Sequence, residues 1–181
     1  MARIERLKPE ELTPEQQRIA RDIAGTRKRG VGGPFAIWLR NPPLADAANR
    51  LGNALRASGK LDKRLFELTV LLVARHWSAR YAWWVHESAA RDAGVAPDLI
   101  AAIRERRRPA LLRTDEQLIY DVISELNETK AISTPTYERA AAALGTDLMI
   151  ELISVAGFYT MVAVVLNGFD VPVPDGEHAL A

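Results

Sequence analysis

The stretch "SARYAWWVHESAARDAG", residues 78–94, decides the fold, because it reads as one amphipathic helix. Positions three and four apart share a helical face. Reading at that spacing from Ala79 gives Ala79, Ala82, His86, Ala89 and Ala93. The result is a stripe of methyl groups with one imidazole in its middle, beside Tyr81, Trp83 and Trp84. Two readings of the stripe stand open. Small residues let helices approach closely, with His86 a satisfied core histidine. Alternatively, the methyl groups at 79 and 82 leave a hollow for a small substrate, walled by Tyr81, Trp83 and Trp84.

The preceding segment, "DKRLFELTVLLVARHW" (62–77), sharpens the second reading. From Leu65 to Ala74 everything is apolar except Glu67 and Thr69. A carboxylate in such surroundings needs a partner, because burying it alone is costly. The turn at Trp77-Ser78 is short, so the two helices are expected side by side as a hairpin. That geometry brings Glu67 toward His86. A carboxylate orienting an imidazole is a proton relay, in which the ring moves the proton. Arg75, Arg80 and Arg40 are the nearest cations that could seat an anionic substrate, each with solvated surface arginine as the bland alternative. His76 lies at a helix C-terminus, where positive charge is favoured.

The rest of the chain is punctuated as helices. Thr13-Pro14 opens one with Gln16 at the capping-box position, and Gly25 stops it. Further helices are expected from Pro42 to Ser58-Gly59, from Pro97 to an end before Pro109, from Thr114 to Asn127 and from Thr134 to Gly145. A last one runs from Thr146 to Asn167-Gly168. No run alternates as a half-buried strand does. The expectation is therefore all-α, about eight helices. An N-terminal helix and glycine-rich loop occupy 1–32, a single domain 33–174, and a tail 175–181. "LMIELISVAGFYTMVAVVL" (148–166) has the length of a membrane span. It is read as a core or interface helix, because an all-round apolar helix suits both.

Composition narrows the function. The 181 residues carry a net charge of +1, and 48% are hydrophobic. So even a balance provides no field for nucleic acid. There is no cysteine, which removes disulfides, thiolate nucleophiles, iron–sulfur clusters and cysteine zinc sites. The three histidines show no metal-ligand spacing, and no cofactor is expected. The N-terminus lacks an apolar signal segment, so a cytoplasmic protein is expected.

Three blocks carry a resemblance: "KRLFELTVLLVARHWSARYAWWVHESAARDAGVAPDLIAAI" (63–103), "GPFAIWLRNPPLA" (33–45) and "ELISVAGFYTMVAVVLNGFDVPVP" (151–174). Together they resemble the carboxymuconolactone decarboxylase family, which includes the alkyl hydroperoxidase D proteins. The resemblance implies the alkyl hydroperoxidase D-like helical bundle, assembled as a dimer, trimer or hexamer. In the hydroperoxidase branch the site is a glutamate followed by a C-x-x-C-x-x-x-H helix. Laid on this chain, the glutamate falls on Glu67, the histidine on His86 and the two thiols on Ala79 and Ala82. A thiol peroxidase cycle needs those sulfurs, so a peroxidase label would be inherited only. The decarboxylase branch needs no cysteine, but it commonly carries a glutamate in the block "YEW", which here reads "YAW" with Ala82. The expectation is a cofactor-free lyase acting on a small carboxylated cyclic substrate, with His86 and Glu67 catalytic. A non-catalytic, oligomeric ligand binder is the alternative.

Overall fold

Thr13 and Pro14 begin the first helix as their chemistry dictates. The Thr13 hydroxyl accepts from the Gln16 N–H at 3.3 Å, and the Gln16 side chain returns the bond to the Thr13 N–H at 2.9 Å. In the computed structural model, residues 2–27, 30–57, 59–110, 113–174 and 180 are described. Among them every regular element is helical. A 3₁₀ turn, Pro9–Glu11, precedes α1 (Pro14–Thr26), α2 (Pro34–Trp38), α3 (Pro42–Ala57) and α4 (Lys63–His76). Then come α5 (Arg80–Asp92), α6 (Pro97–Arg104), α7 (Thr114–Thr129) and α8 (Thr134–Gly168). The all-α expectation holds. Residues 28 and 29 of the glycine-rich loop, residue 58 at the expected end of α3, and the tail apart from residue 180 lie outside the described residues.

The chain divides into two compact units, Met1–Gly59 with Val165–Pro172, and Lys60–Val164 with Val173–Ala181. In the first, α1 and α2 pack on α3. The contact suits the small residues Ala45, Ala48 and Gly52 that α3 buries against Ile19 and Ile23 of α1. The Arg27 guanidinium lies 4.0 Å over the Phe35 ring. Arg3 reaches the end of α8, donating its N–H to the Phe169 carbonyl at 2.9 Å and its guanidinium to that of Gly168 at 3.1 Å.

The second unit is built on α4, which packs against α5, α6 and α7. Asp62 caps α4 by accepting the Arg64 N–H at 3.0 Å. Every residue from Leu65 to Ala74 is buried. The Thr69 hydroxyl is satisfied by the Leu65 carbonyl at 2.8 Å. Arg64 forks onto Asp115 and Glu116 at the start of α7, which ties the two helices together. Burial opposes the charge of this guanidinium, but the two carboxylates outweigh it and raise its pKa. The lone carboxylate of the apolar run, Glu151, accepts the N–H groups of Lys60 and Leu61 at 2.8 and 2.9 Å. It thereby satisfies backbone donors just ahead of α4.

Several boundaries shift from the sequence reading. The quoted helix begins at Arg80, because Ser78 takes a left-handed φ of 48° and Ala79 serves as its N-cap. The cap of α7 is Arg113 instead of Thr114, and the helix runs past Asn127 to a left-handed cap at Lys130. Helix α6 ends at Arg104, before Pro109 as expected, because Arg106 turns left-handed at φ 58°. The stop at Gly145 is real: φ there is 77°, and the helical path is broken. Helix α8 is long and apolar enough to cross a membrane, with a mean hydropathy of 2.0. Leu152, Val155, Phe158, Tyr159 and Ala163 of this helix are buried, while Ile150, Ile153 and Val164 stay exposed.

Candidate active site

The antiparallel α4–α5 hairpin sets the register of the site. Glu67 lies eleven residues before Ser78 and His86 eight after it. The offset of three residues is about 4.5 Å of helical rise, which long side chains span. His86 Nδ1 and Glu67 Oε2 meet at 2.7 Å. The two side chains are only 15% and 8% exposed. An ionised carboxylate has only acceptor atoms, so Nδ1 carries the proton and donates it to Glu67. The other ring nitrogen, Nε2, makes no hydrogen bond among the described residues. The expected meeting of these two groups is present in the structure.

A third residue completes the site. Tyr159 of α8 stands edge-on to the imidazole, with ring centroids 4.9 Å apart, and likewise packs at 5.8 Å on Phe66 of α4. The sequence reading did not select Tyr159. No local pattern marks it, since Glu151, Ser154 and Thr160 also interrupt the apolar run.

The predicted pocket residues are placed differently from one another. Ala82 sits one turn before His86 and Ala79 caps the helix, and both are buried, at 4% and 0% exposure. Trp83 is enclosed completely, and its indole N–H donates to Glu87 Oε2 at 2.9 Å. That bond belongs to a core network and leaves the indole N–H no role toward a substrate. Tyr81 and Trp84 are half-buried and pack on each other at 5.6 Å. They lie about 140° and 160° round the helix from His86, so they face away from it. Arg75 is eight residues beyond Glu67, about 12 Å along α4. Its Nε donates to the Arg104 carbonyl at 2.6 Å. Arg80 is exposed at the start of α5, and Arg40 donates to the Glu5 carbonyl at 2.8 Å in the first unit. The expectation that Arg75 serves the pair is therefore corrected by helix geometry. His76 ends α4, as the sequence reading has it. Burial first, then the charges of Lys130 and Arg106, hold its pKa below the usual histidine value, against a weaker pull from Glu128. Among the described residues, no three acidic or histidine side chains gather as metal ligands.

Glu87 is the buried acid that the sequence reading missed, although Trp83, Glu87 and Arg91 follow an i, i+4 ladder. Arg91 donates to it at 2.6 Å, and Arg104 of α6 also binds it while lying 5.7 Å over the Trp83 ring. Burial pushes the Glu87 carboxyl up, but Arg91, Arg104 and the indole N–H outweigh it and hold the pKa below the ordinary 4.5. A carboxyl depressed in the folded state contributes stability that is complete above its unfolded pKa and fades as pH falls through the folded one. Glu87→Gln should therefore lose less stability than the wild type between pH 7 and acid. Urea midpoints measured across that range check this.

Comparisons with known proteins fit this architecture. No protein-family model and no curated protein matches the chain. Among solved structures, an uncharacterized peroxidase-related protein from Silicibacter sp. TM1040 superposes with a TM-score of 0.79 at 17% identity, covering 98% of this chain and 94% of that one. A protein of unknown function from Agrobacterium tumefaciens, provisionally assigned as the antioxidant defence protein AhpD, superposes with a TM-score of 0.68 at 16% identity. That match covers 79% of this chain and 99% of that one. The chain has the alkyl hydroperoxidase D-like fold.

Proposed function

From the premise of an alkyl hydroperoxidase D-like fold that carries no sulfur nucleophile, we propose that this protein is a cofactor-free proton-transfer enzyme. Its reaction is of the carbon–carbon lyase type, on a small carboxylated cyclic substrate. The single observation carrying this reading is the 2.7 Å bond between His86 Nδ1 and Glu67 Oε2 in a largely enclosed setting. Thiol-based peroxide reduction is closed to a chain with no cysteine.

In the proposed step, the bond from ring carbon to substrate carboxylate breaks and carbon dioxide leaves. The bonding electron pair remains on carbon. His86, protonated on both nitrogens, delivers the Nε2 proton to that carbon. Glu67 accepts the hydrogen bond from Nδ1–H, fixes the ring and balances the charge the imidazolium carries before transfer. Tyr159 restricts ring rotation by its edge-on packing. The test is turnover against a panel of lactone acids of the aromatic-catabolism type, followed by carbon dioxide release and by deuterium incorporation at carbon.

Ligand binding without turnover is a second reading, favoured by one observation. Arg75 lies about 12 Å along α4 from Glu67, and Arg80 is exposed at the far start of α5. Neither seats a substrate carboxylate beside the pair.

The chain is further proposed to self-associate through α8. Ile150, Ile153 and Val164 are 61%, 36% and 46% exposed. With Gly157 they follow one helical face, and an apolar patch of this kind marks an interaction surface. Ile150→Asp should lower the mass seen by light scattering after size exclusion while leaving the helical circular dichroism unchanged. An unchanged mass would remove this face from the assembly.

A further inference from the structure

The arginine expected at the acid–base pair lies in a cleft at the other end of α4. Arg75 and His76 at the end of α4, Arg106 and Arg107 after α6, and Ser124 and Asn127 of α7 line a cleft of about 110 Å³. That is several times the roughly 10–15 Å³ that one water needs by the same kind of measure. Three guanidiniums border the cleft, and Glu128 is the one carboxylate among its lining residues. Arg107 is paired with Glu105 at 2.6 Å. Among the described residues Arg75 and Arg106 have no carboxylate partner. Instead, both donate to the Ser78 hydroxyl, at 3.3 and 2.9 Å. Lys130 adds a further cation, with Nζ 3.4 Å from His76 Nε2.

The backbone holds these groups in place at some cost. Ser78 and Arg106 both adopt left-handed φ values, 48° and 58°, without being glycine. Such conformations persist only where surrounding structure over-determines them. Here the two strained residues bond to each other, and Arg75 is pinned by the Arg104 carbonyl. The cations also disfavour one another. The Arg75 pKa is lowered by burial first and then by Arg106.

From this cluster and its concavity, we infer that the cleft between the ends of α4, α6 and α7 binds a small oxyanion of the phosphate type. A tetrahedral oxyanion accepts from several guanidinium donors at once, and the Ser124 and Asn127 side chains supply further polar partners. The cleft volume suits the ion or the head group of a small ester. The site is separate from the Glu67–His86 pair and does not depend on its chemistry.

The probe is inorganic phosphate, titrated into the full chain by calorimetry at constant ionic strength with chloride as the balancing anion. Saturable binding is expected. Arg106→Gln, an exposed position, should weaken it about tenfold or more, the loss of one charge-assisted hydrogen bond. Arg75→Gln should do the same, with circular dichroism as the check that it folds. Arg18→Gln, on the exposed face of α1 and paired with Asp22, should leave the affinity unchanged. Absence of saturable binding overturns the inference, as does equal affinity in Arg106→Gln or an equal loss in Arg18→Gln. Phenyl phosphate separates the two sources of the ion. Displacement of phosphate by the ester supports a site for esterified head groups, and failure to displace it supports one for the free ion.

Discussion

His86→Ala is expected to cut kcat/KM on any turned-over lactone acid by about 10²–10⁴-fold, the usual contribution of a positioned general acid or base. The substitution removes Nε2, the atom proposed to meet the reacting carbon, and leaves Glu67 buried without its 2.7 Å partner. Glu67→Gln separates the two roles. The amide keeps the shape and can still accept the hydrogen bond from Nδ1–H, but it no longer balances an imidazolium. Its kcat should fall with KM little changed, and the pH limb assigned to His86 should move. A purely structural glutamate would alter stability and leave the pH profile where it was. Full activity in His86→Ala would overturn the enzymatic reading at this pair. If neither protein turns over the panel but one compound binds the wild type and not His86→Ala, the binding reading stands in its place.

The largest loss of stability is expected at Trp83. Its side chain is fully buried, and its indole N–H serves the acid at the centre of a three-donor network. Trp83→Ala removes the transfer free energy of a large ring and leaves a cavity, typically about 3–5 kcal/mol. For a chain of this length that is a fall in Tm of about 6–20 °C. Trp83→Phe retains most of the volume but deletes the N–H, so one acceptor site on Glu87 goes unfilled. It should cost about 1–3 kcal/mol. Differential scanning calorimetry at pH 7 distinguishes the two. A loss confined to ligand affinity, with Tm unchanged in Trp83→Ala, would return the ring to the pocket wall imagined from sequence.

What could be read from sequence follows the range of the interaction. Caps and stops act within a turn, so Thr13, Asp62 and Gly145 were legible from their neighbours. The Glu67–His86 contact spans 19 residues. A three-residue turn nevertheless makes its register almost local, and hairpin geometry sufficed. Tyr159 was beyond reach because its approach to His86 depends on how α8 is rotated about its own axis, which no local pattern encodes. Arg75 lies away from the pair because proximity along the chain is not proximity in space. On a helix, eight positions carry a side chain to the other end of its neighbour. Tyr81 and Trp84 were grouped with His86 by sequence adjacency, although two- and five-residue steps turn a helix far round. Ser78 and Arg106 were invisible, since neither residue type advertises a left-handed backbone.

The break at Gly145 has a consequence for how the site tolerates change. A continuous helix conducts bending, because each peptide is tethered to the one four ahead. The non-helical glycine severs that tether, so residues 134–144 and the segment bearing Tyr159 take their headings independently. Substitutions that tilt the first segment are thereby insulated from the phenol ring against His86.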